Sequence, residues 1–261
     1  MKRVRDGDWE GFVSHFEAIG KINLKAYKRP QMERRINSFM RINGLADYSN
    51  LLGRLQSDKE LFNKFLEHLT INVSEFFRNP SHWRVMENTV IPMLIKQRTQ
   101  LRIWSAGCST GEEPYSLAIM VKENNFELCE PILATDLDTE SLNRAAEGVY
   151  QKRVLRSVPE QVLKRYFEED RGLYKVRPEI KKLVRFKQHD LLRDPFPRDN
   201  DLILCRNVVI YFTEETKQQL YGRFAQALRA GGILFIGGTE QIFNGRQLGF
   251  ESYTTFFYQK C

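Results

Sequence analysis

The residues best placed for chemistry begin at Ala106-Gly107-Cys108-Ser109-Thr110-Gly111, a tight turn between a short strand over Leu101–Ala106 and a helix starting near Glu112. Strand, glycine turn and helix N-terminus together leave bare backbone amides against which a small ligand can lie. No lysine follows Gly111, so the stretch is not a GxxxxGK[ST] phosphate loop, and it does not supply GxGxxG either. The neighbouring carboxylates Glu112 and Glu113 repel a pyrophosphate and attract a cation. That charge pattern favours S-adenosylmethionine, which carries a sulfonium and an ammonium, over a nucleotide. Ser109-Thr-Gly-Glu112 also matches a capping box, which accounts for the same residues structurally.

Further polar residues stand where other apolar runs end. The strand Pro131–Thr135 leads into Asp136-Leu137-Asp138. Asp136 is placed to accept from both hydroxyls of a ribose, whereas Asp138 reads as a helix N-cap. Leu183–Gln188 leads into His189-Asp190-Leu191, where Asp190 can accept from an adenine amino group and Leu191 can pack the ring; a plain turn aspartate explains Asp190 as well. His189 has no partner nearby in sequence and receives no role. Asp201–Cys205 delivers Arg206 and Asn207, which packing alone explains poorly because both would need burial partners. Tyr211 follows, just before a helix capped by Thr213. Arg78 stands beside Phe76 and Phe77 in Thr70–Pro80, either a structured linker or part of a site at a domain seam.

Alternating elements must position these residues. Strands over 101–106, 131–135, 183–188, 201–205, 232–237 and 255–259, with helices over 113–124, 139–147 and 214–229, predict an α/β, Rossmann-like, mostly parallel sheet with ligands beyond the carboxyl ends of its strands. Residues 148–183 are too long for a simple connection and predict a small inserted unit with one or two short strands. Upstream, apolar residues at helical spacing predict four helices: one over 9–20, one opened by Pro30, a short one around Tyr48–Leu55, and one capped by Asp58. Their aromatics read as core. The expected organisation is a helical domain over 1–72, a linker and helix over 73–98, and a larger domain over 99–261.

Net charge is +7, and Lys21–Arg41 holds seven basic residues against Glu33 alone, a net of +6, so the rest of the chain is close to neutral. A basic face of this kind points to an acidic partner or is a solvated helix surface. No apolar run reaches the roughly 20 residues that span a bilayer, and MKRVRDGDWEGF has no apolar signal region, so a cytoplasmic protein is expected. Cys108, Cys129, Cys205 and Cys261 lie far apart and indicate free thiols, with no metal site.

Thr70–Arg78 (TINVSEFFR), Trp104–Ser116 (WSAGCSTGEEPYS), Ala134–Asp138 (ATDLD) and Cys205–Phe212 (CRNVVIYF) resemble the CheR-type chemotaxis-receptor methyltransferases over essentially the whole chain. The resemblance implies an S-adenosylmethionine-dependent protein-glutamate O-methyltransferase with a Rossmann-like sheet, an N-terminal helical domain and an inserted β-subdomain, its product being S-adenosylhomocysteine. By motif, Asn72, Ser74 and Arg78 are then cofactor contacts from the linker, with Ala106 and Gly107 in the turn. Glu113 meets the methionine end and Asp136 the ribose. Asp190 and Leu191 lie by the adenosine, although family members often carry Asn at the place of Asp190. Cys205, Arg206 and Asn207 close the site, while Arg78, Arg206 and Tyr211 handle the substrate carboxylate. The implied partner is the acidic helical bundle of a chemoreceptor, docked on the basic helix within 21–41 by a monomeric enzyme. The compact segment Glu168–Val176 resembles members that do not tether a receptor tail. Two rivals are a nucleic-acid (RNA) methyltransferase using its basic helix on phosphates, and a binding module without turnover. The basic helix lacks interleaved aromatics for base stacking, and CRNV stands where an amine-methylating NPPY-like motif is expected.

Overall fold

The computed structural model describes residues 9–20, 22–69 and 74–261. They divide into two compact units, one running up to residue 69 together with Tyr211–Lys217, the other comprising 74–210 and Gln218–Cys261.

In the first unit α1 (Trp9–Gly20), α2 (Arg29–Ile42), α3 (Tyr48–Ser57) and α4 (Lys59–Leu69) form an all-helical body. Pro30 sits in the first turn of α2, where its missing N–H removes no helical bond. Asp47 caps α3 by accepting from the Asn50 amide at 2.8 Å, and Asp58 caps α4 through the Leu61 amide at 2.9 Å. The aromatics are core, as expected: fully buried Phe65 takes ring edges from Phe16 at 5.3 Å and Phe39 at 5.0 Å. Tyr27 pairs with Phe212 in an isolated bridge, and the Lys28 amide donates to the Tyr211 carbonyl at 2.9 Å, which attaches Tyr211–Lys217 to this unit.

The second unit opens with α5 (Pro80–Val85), which passes through a π-turn at Met86–Val90 into α6 (Ile91–Gln97). The single helix expected within 73–98 is thus interrupted: Pro92 has no amide to donate, and the ladder widens just ahead of it. There follow β1 (Gln100–Leu101), β2 (Ile103–Ala106), α7 (Glu112–Glu123), β3 (Glu127–Leu128), β4 (Ile132–Asp136) and α8 (Thr139–Glu147). The inserted unit holds β5 (Val149–Gln151), α9 (Glu160–Tyr166), β6 (Phe167–Asp170), β7 (Leu173–Val176) and α10 (Pro178–Lys181). The chain closes with β8 (Val184–Gln188), β9 (Asn200–Cys205), α11 (Glu214–Ala227), β10 (Leu228–Ile236), β11 (Phe250–Thr254) and β12 (Phe257–Lys260).

The main sheet has seven strands in the order β11-β12-β10-β9-β2-β4-β8, parallel from β10 to β8 and antiparallel where β12 meets β10 and β11. Every residue of β2 and β9 is buried, as a strand covered on both faces requires. The order reverses beside β2, so its carboxyl end and that of β9 border the crevice where such sheets take ligands. Two expectations shift. β10 begins at Leu228 rather than 232, with a register break around Gly231-Gly232. The last expected strand is a hairpin, and β11 escaped notice because FESYT is an edge strand with charged and polar faces.

The insertion folds as its own antiparallel sheet, β5-β7-β6. It reaches the glycine turn through Tyr150, whose hydroxyl donates to the Thr110 carbonyl at 2.7 Å. At the opposite, amino end of β9, fully buried Asp201 accepts from the Arg102 amide at 2.7 Å and from Arg229 Nε, with Arg98 Nη1 at 3.5 Å. Among the described residues no helix is long and apolar enough to cross a membrane.

Candidate functional site

Beyond β2 the backbone turns through three positive-φ residues: Gly107 (+80°), Ser109 (+48°) and Gly111 (+92°). The amides of Gly107 and Cys108 both donate to the Thr135 carbonyl, at 2.8 and 2.9 Å, so the turn leans on the end of β4. A Cβ on Gly107 would lie 2.4 Å from Val208 Cγ2, and one on Gly111 2.8 Å from Ala145 Cβ. Only glycine satisfies both the φ and the approach. The capping box does not form. α7 begins at Glu112 behind an N-cap glycine, too late for Glu112 to reach back, and the Thr110 hydroxyl instead donates to the Glu112 carboxylate at 2.8 Å.

The adjacent glutamates face different surroundings. Glu112 is 3% exposed; burial pushes its carboxyl up, against hydroxyl bonds from Thr110 and Ser74. Glu113 accepts from the Ser105 hydroxyl at 2.8 Å and pairs with Arg206 Nη1 at 3.3 Å. Burial pushes the Glu113 carboxyl up and the Arg206 guanidinium down, while each charge opposes the other's loss. Asp136 accepts the Ser109 amide at 2.7 Å and the Asp138 amide at 3.0 Å, and burial raises it as well. Asp138 is the N-cap of α8, as its position suggested.

Arg206 is 7% exposed, and both of its Nη atoms bind protein groups while its buried Nε has no hydrogen-bond partner among the described residues. Besides Glu113, its Nη2 donates to the Arg78 carbonyl at 2.9 Å and Asn79 Oδ1 at 3.1 Å, and its guanidinium lies 4.6 Å from the centre of the Phe235 ring. Trp83 Nε1 donates to the same Arg78 carbonyl at 3.0 Å. The segment around Arg78 is held on its other side too: the Phe76 amide donates to the Val154 carbonyl at 2.9 Å, and the Phe77 amide to Ser116 Oγ at 2.9 Å. Phe77 and Asn79 sit at φ +51° and +59°. A bulky residue in that region is a cost that the surrounding bonds must offset.

The structure therefore brings Ser74, Arg78, Ala106, Gly107, Glu113, Asp136, Cys205, Arg206 and Asn207 to the carboxyl ends of β2, β4 and β9 or the segment bonded to them. Asp190 and Leu191 follow β8; Asp190 Oδ1 accepts the Leu192 amide at 2.8 Å, so one oxygen shapes the turn, and Leu191 is buried. Tyr211 belongs with the helical unit, and Asn72 lies outside the described residues. Cys108 and Cys205 are buried free thiols, and burial pushes both well up. Two residues went unread in the sequence. Arg223, on α11, donates to the carbonyls of Leu191 and Asp194 and lies 4.0 Å from the centre of the Phe196 ring, pinning the loop after β8. Glu240, past β10, accepts the Asn207 amide from the loop after β9 and the Gly237 amide of its own turn. The strand-end rule that found Arg206 points equally to Glu240; nothing in the sequence links Arg223 to its loop.

The family model described as "CheR methyltransferase, SAM binding domain" matches residues 72–257, and "CheR methyltransferase, all-alpha domain" matches residues 7–70. A chemotaxis protein methyltransferase of Listeria innocua is 46% identical over 240 residues, 92% of this chain and 92% of its own. That of Listeria monocytogenes is 45% identical with the same coverage. The Escherichia coli chemotaxis protein methyltransferase is 33% identical over 244 residues, 87% of this chain and 84% of its own.

Proposed function

The chain belongs to the CheR methyltransferase family, and from that premise we propose that it methylates glutamate side chains of chemotaxis receptors, forming glutamate methyl esters. Membership makes it an S-adenosylmethionine-dependent methyltransferase of chemotaxis. The receptor glutamate as acceptor is the reading supported by the motif resemblance at Thr70–Arg78 and Cys205–Phe212 and by the relatives' shared chemotaxis name, and the RNA alternative gains nothing from either.

The residues fit the cofactor. Glu112, Glu113 and Asp136 supply carboxylates suited to a sulfonium and an ammonium, and the side-chain-free backbone at Gly107 and Gly111 permits close approach. In this reading Glu113 holds the methionine end, Asp136 the ribose, Asp190 and Leu191 the adenosine, and Ser74, Ala106, Cys205, Arg206 and Asn207 complete the enclosure. The bound cofactor supplies a methyl group activated on sulfur. A glutamate acceptor is ionised at neutral pH, with an ordinary pKa of about 4.3. The chain's residues then need no general base; they must align oxygen, methyl carbon and sulfur and exclude water.

The observation that carries the assignment is the buried Arg206–Glu113 pair, which anchors the Arg78 backbone beside the strand ends. With the Arg206 Nη atoms committed to Glu113, Asn79 and a carbonyl, Arg78 is the guanidinium assigned to the substrate oxygen that does not attack. Docking falls to α2. A groove of about 860 Å³ is lined by Arg34, Arg35, Arg41 and His68 together with Glu33, and its basic excess suits an acidic helical bundle. Within it Arg35 donates to the carbonyls of His68 and Leu69, at 2.8 and 3.2 Å, so it closes the end of α4, while Arg34 and Arg41 are exposed.

The test is methyl transfer from labelled S-adenosylmethionine to receptor-containing membranes, with the modified residues mapped. Base-labile label on receptor glutamates is expected. Label on RNA, base-stable label, or no transfer overturns the reading.

A further inference from the structure

The loop that follows β9 is held by an internal anion. Glu240 is 6% exposed and lies at the end of a turn in which its own amide donates to the Gly237 carbonyl at 3.0 Å. Its Oε2 accepts the Gly237 amide and, at 3.0 Å, the Asn207 amide, while Oε1 is buried without a hydrogen-bond partner among the described residues. The amides of Val209 and Ile210 also stand close enough to favour its ionised form, against burial, which pushes the carboxyl up. β9 and β10 run parallel with Cys205 opposite Ile236, so the carboxylate joins two backbone segments that have just left adjacent strands.

The space for this junction is reserved by a glycine. A Cβ at Gly237 would lie 2.6 Å from Glu240 Oε2, 2.8 Å from the Asn207 amide nitrogen and 3.0 Å from Asn207 Nδ2. Asn207 itself is at φ +60°, a conformation that side-chain-bearing residues adopt only at a cost. The next residue, Val208, is the one whose methyl abuts Gly107 in the turn after β2. A buried carboxylate thus sets the backbone that presents Asn207 and rests on the glycine turn.

We propose that Glu240 is a positioning residue: by gathering the amides at the ends of β9 and β10 it holds Asn207 and Val208 in the single arrangement that completes the cofactor site. An anion is the suitable device, because a carboxylate accepts several N–H groups at once and charge-assisted bonds are about twice as strong as neutral ones. Glutamine in its place keeps one accepting oxygen but loses the charge that strengthens both bonds to Oε2, and it buries an N–H₂ donor where Oε1 has no partner.

This rests on Asn207 being a cofactor contact, and a double-mutant cycle keeps the two questions apart. Binding of S-adenosylhomocysteine to the full chain is measured by calorimetry for wild type, Asn207→Ala, Glu240→Gln and the double variant, each at a temperature well below its own melting point. Glu240→Gln is expected to bind about tenfold more weakly, and the double variant no more weakly than Asn207→Ala alone, since non-additivity marks residues that act through one another. A merely structural Glu240 leaves binding by the folded variant unchanged, or adds its full effect on top of Asn207→Ala; either result overturns the proposal. Unchanged binding by Asn207→Ala alone instead refutes the contact assigned to Asn207. If Glu240→Gln does not fold, the same cycle is run with Glu240→Asp, which keeps the charge but withdraws it by one methylene, and the same two outcomes decide.

Discussion

Glu112 and Glu113 differ by one position in the chain and by a whole environment in the fold. Glu113 has a buried guanidinium to answer its charge; Glu112 has hydroxyls and its own backbone amide but no cation, and burial raises its pKa. A carboxyl whose folded pKa lies above its unfolded one binds protons more readily in the folded state, so its stabilising share is complete at acidic pH and is lost as pH rises through the folded value. Glu112→Gln, neutral and nearly isosteric, is therefore expected to melt a few degrees above wild type at pH 8, about 1 kcal/mol. The gap should close as pH falls into the ordinary carboxylate range. On the proposed placement of the cofactor, the same substitution should weaken S-adenosylmethionine binding several-fold, because it removes a negative group from the side facing the sulfonium and ammonium. Melting curves across pH 4.5–8 with parallel calorimetry check both halves, and a variant melting below wild type at pH 8 contradicts the first.

At the scale of elements, β9 ties two networks to its two ends. Its six residues span about 17 Å, with Asp201 anchored to Arg229, Arg98 and the Arg102 amide near one end and Arg206 just past the other. Asp201→Ala strands the largely buried Arg229 without its carboxylate and is expected to cost about 3 kcal/mol in urea unfolding. Affinity for S-adenosylhomocysteine should stay within about twofold of wild type. A loss of affinity matching the loss of stability would mean that the two ends are not independent. The same strand shows what was legible in the sequence. Asp201–Cys205 is a short apolar run bounded by polar residues, so both the strand and the chemistry at Arg206 and Asn207 just past it could be read directly. The partners of Arg206 could not: Glu113 lies 93 positions away, and the Arg78 carbonyl belongs to a segment whose place is set by contacts with Val154 and Ser116. Side-chain pairing across a sheet is fixed by topology, which no local pattern contains. The capping box failed for a related reason: the positive-φ path through Ser109 and Gly111 delays the helix start.

For the molecule as a whole, charge is segregated, with a net +6 of the total +7 falling within 21–41. Exposed charges of this kind act on encounter rate and salt dependence more than on bound contacts. Arg34→Glu is thus expected to raise the apparent KM for receptor membranes several-fold at low salt and to flatten its dependence on ionic strength, with S-adenosylhomocysteine affinity unchanged. Arg35→Glu should behave differently and lower the melting temperature, because it removes the donor from the end of α4. Similar effects from the two reversals would put both charges in one role. The burial of Cys108 and Cys205 has a practical consequence of another kind. A thiol that is enclosed and hard to ionise does not attack disulfides or alkylating agents. Cys129 and Cys261 are exposed, so the native enzyme should titrate two thiols quickly with an aromatic disulfide and the remaining two only on unfolding. It can then carry a pair of fluorescent or spin labels without engineering, on positions that leave the methyl-donor pocket chemically untouched.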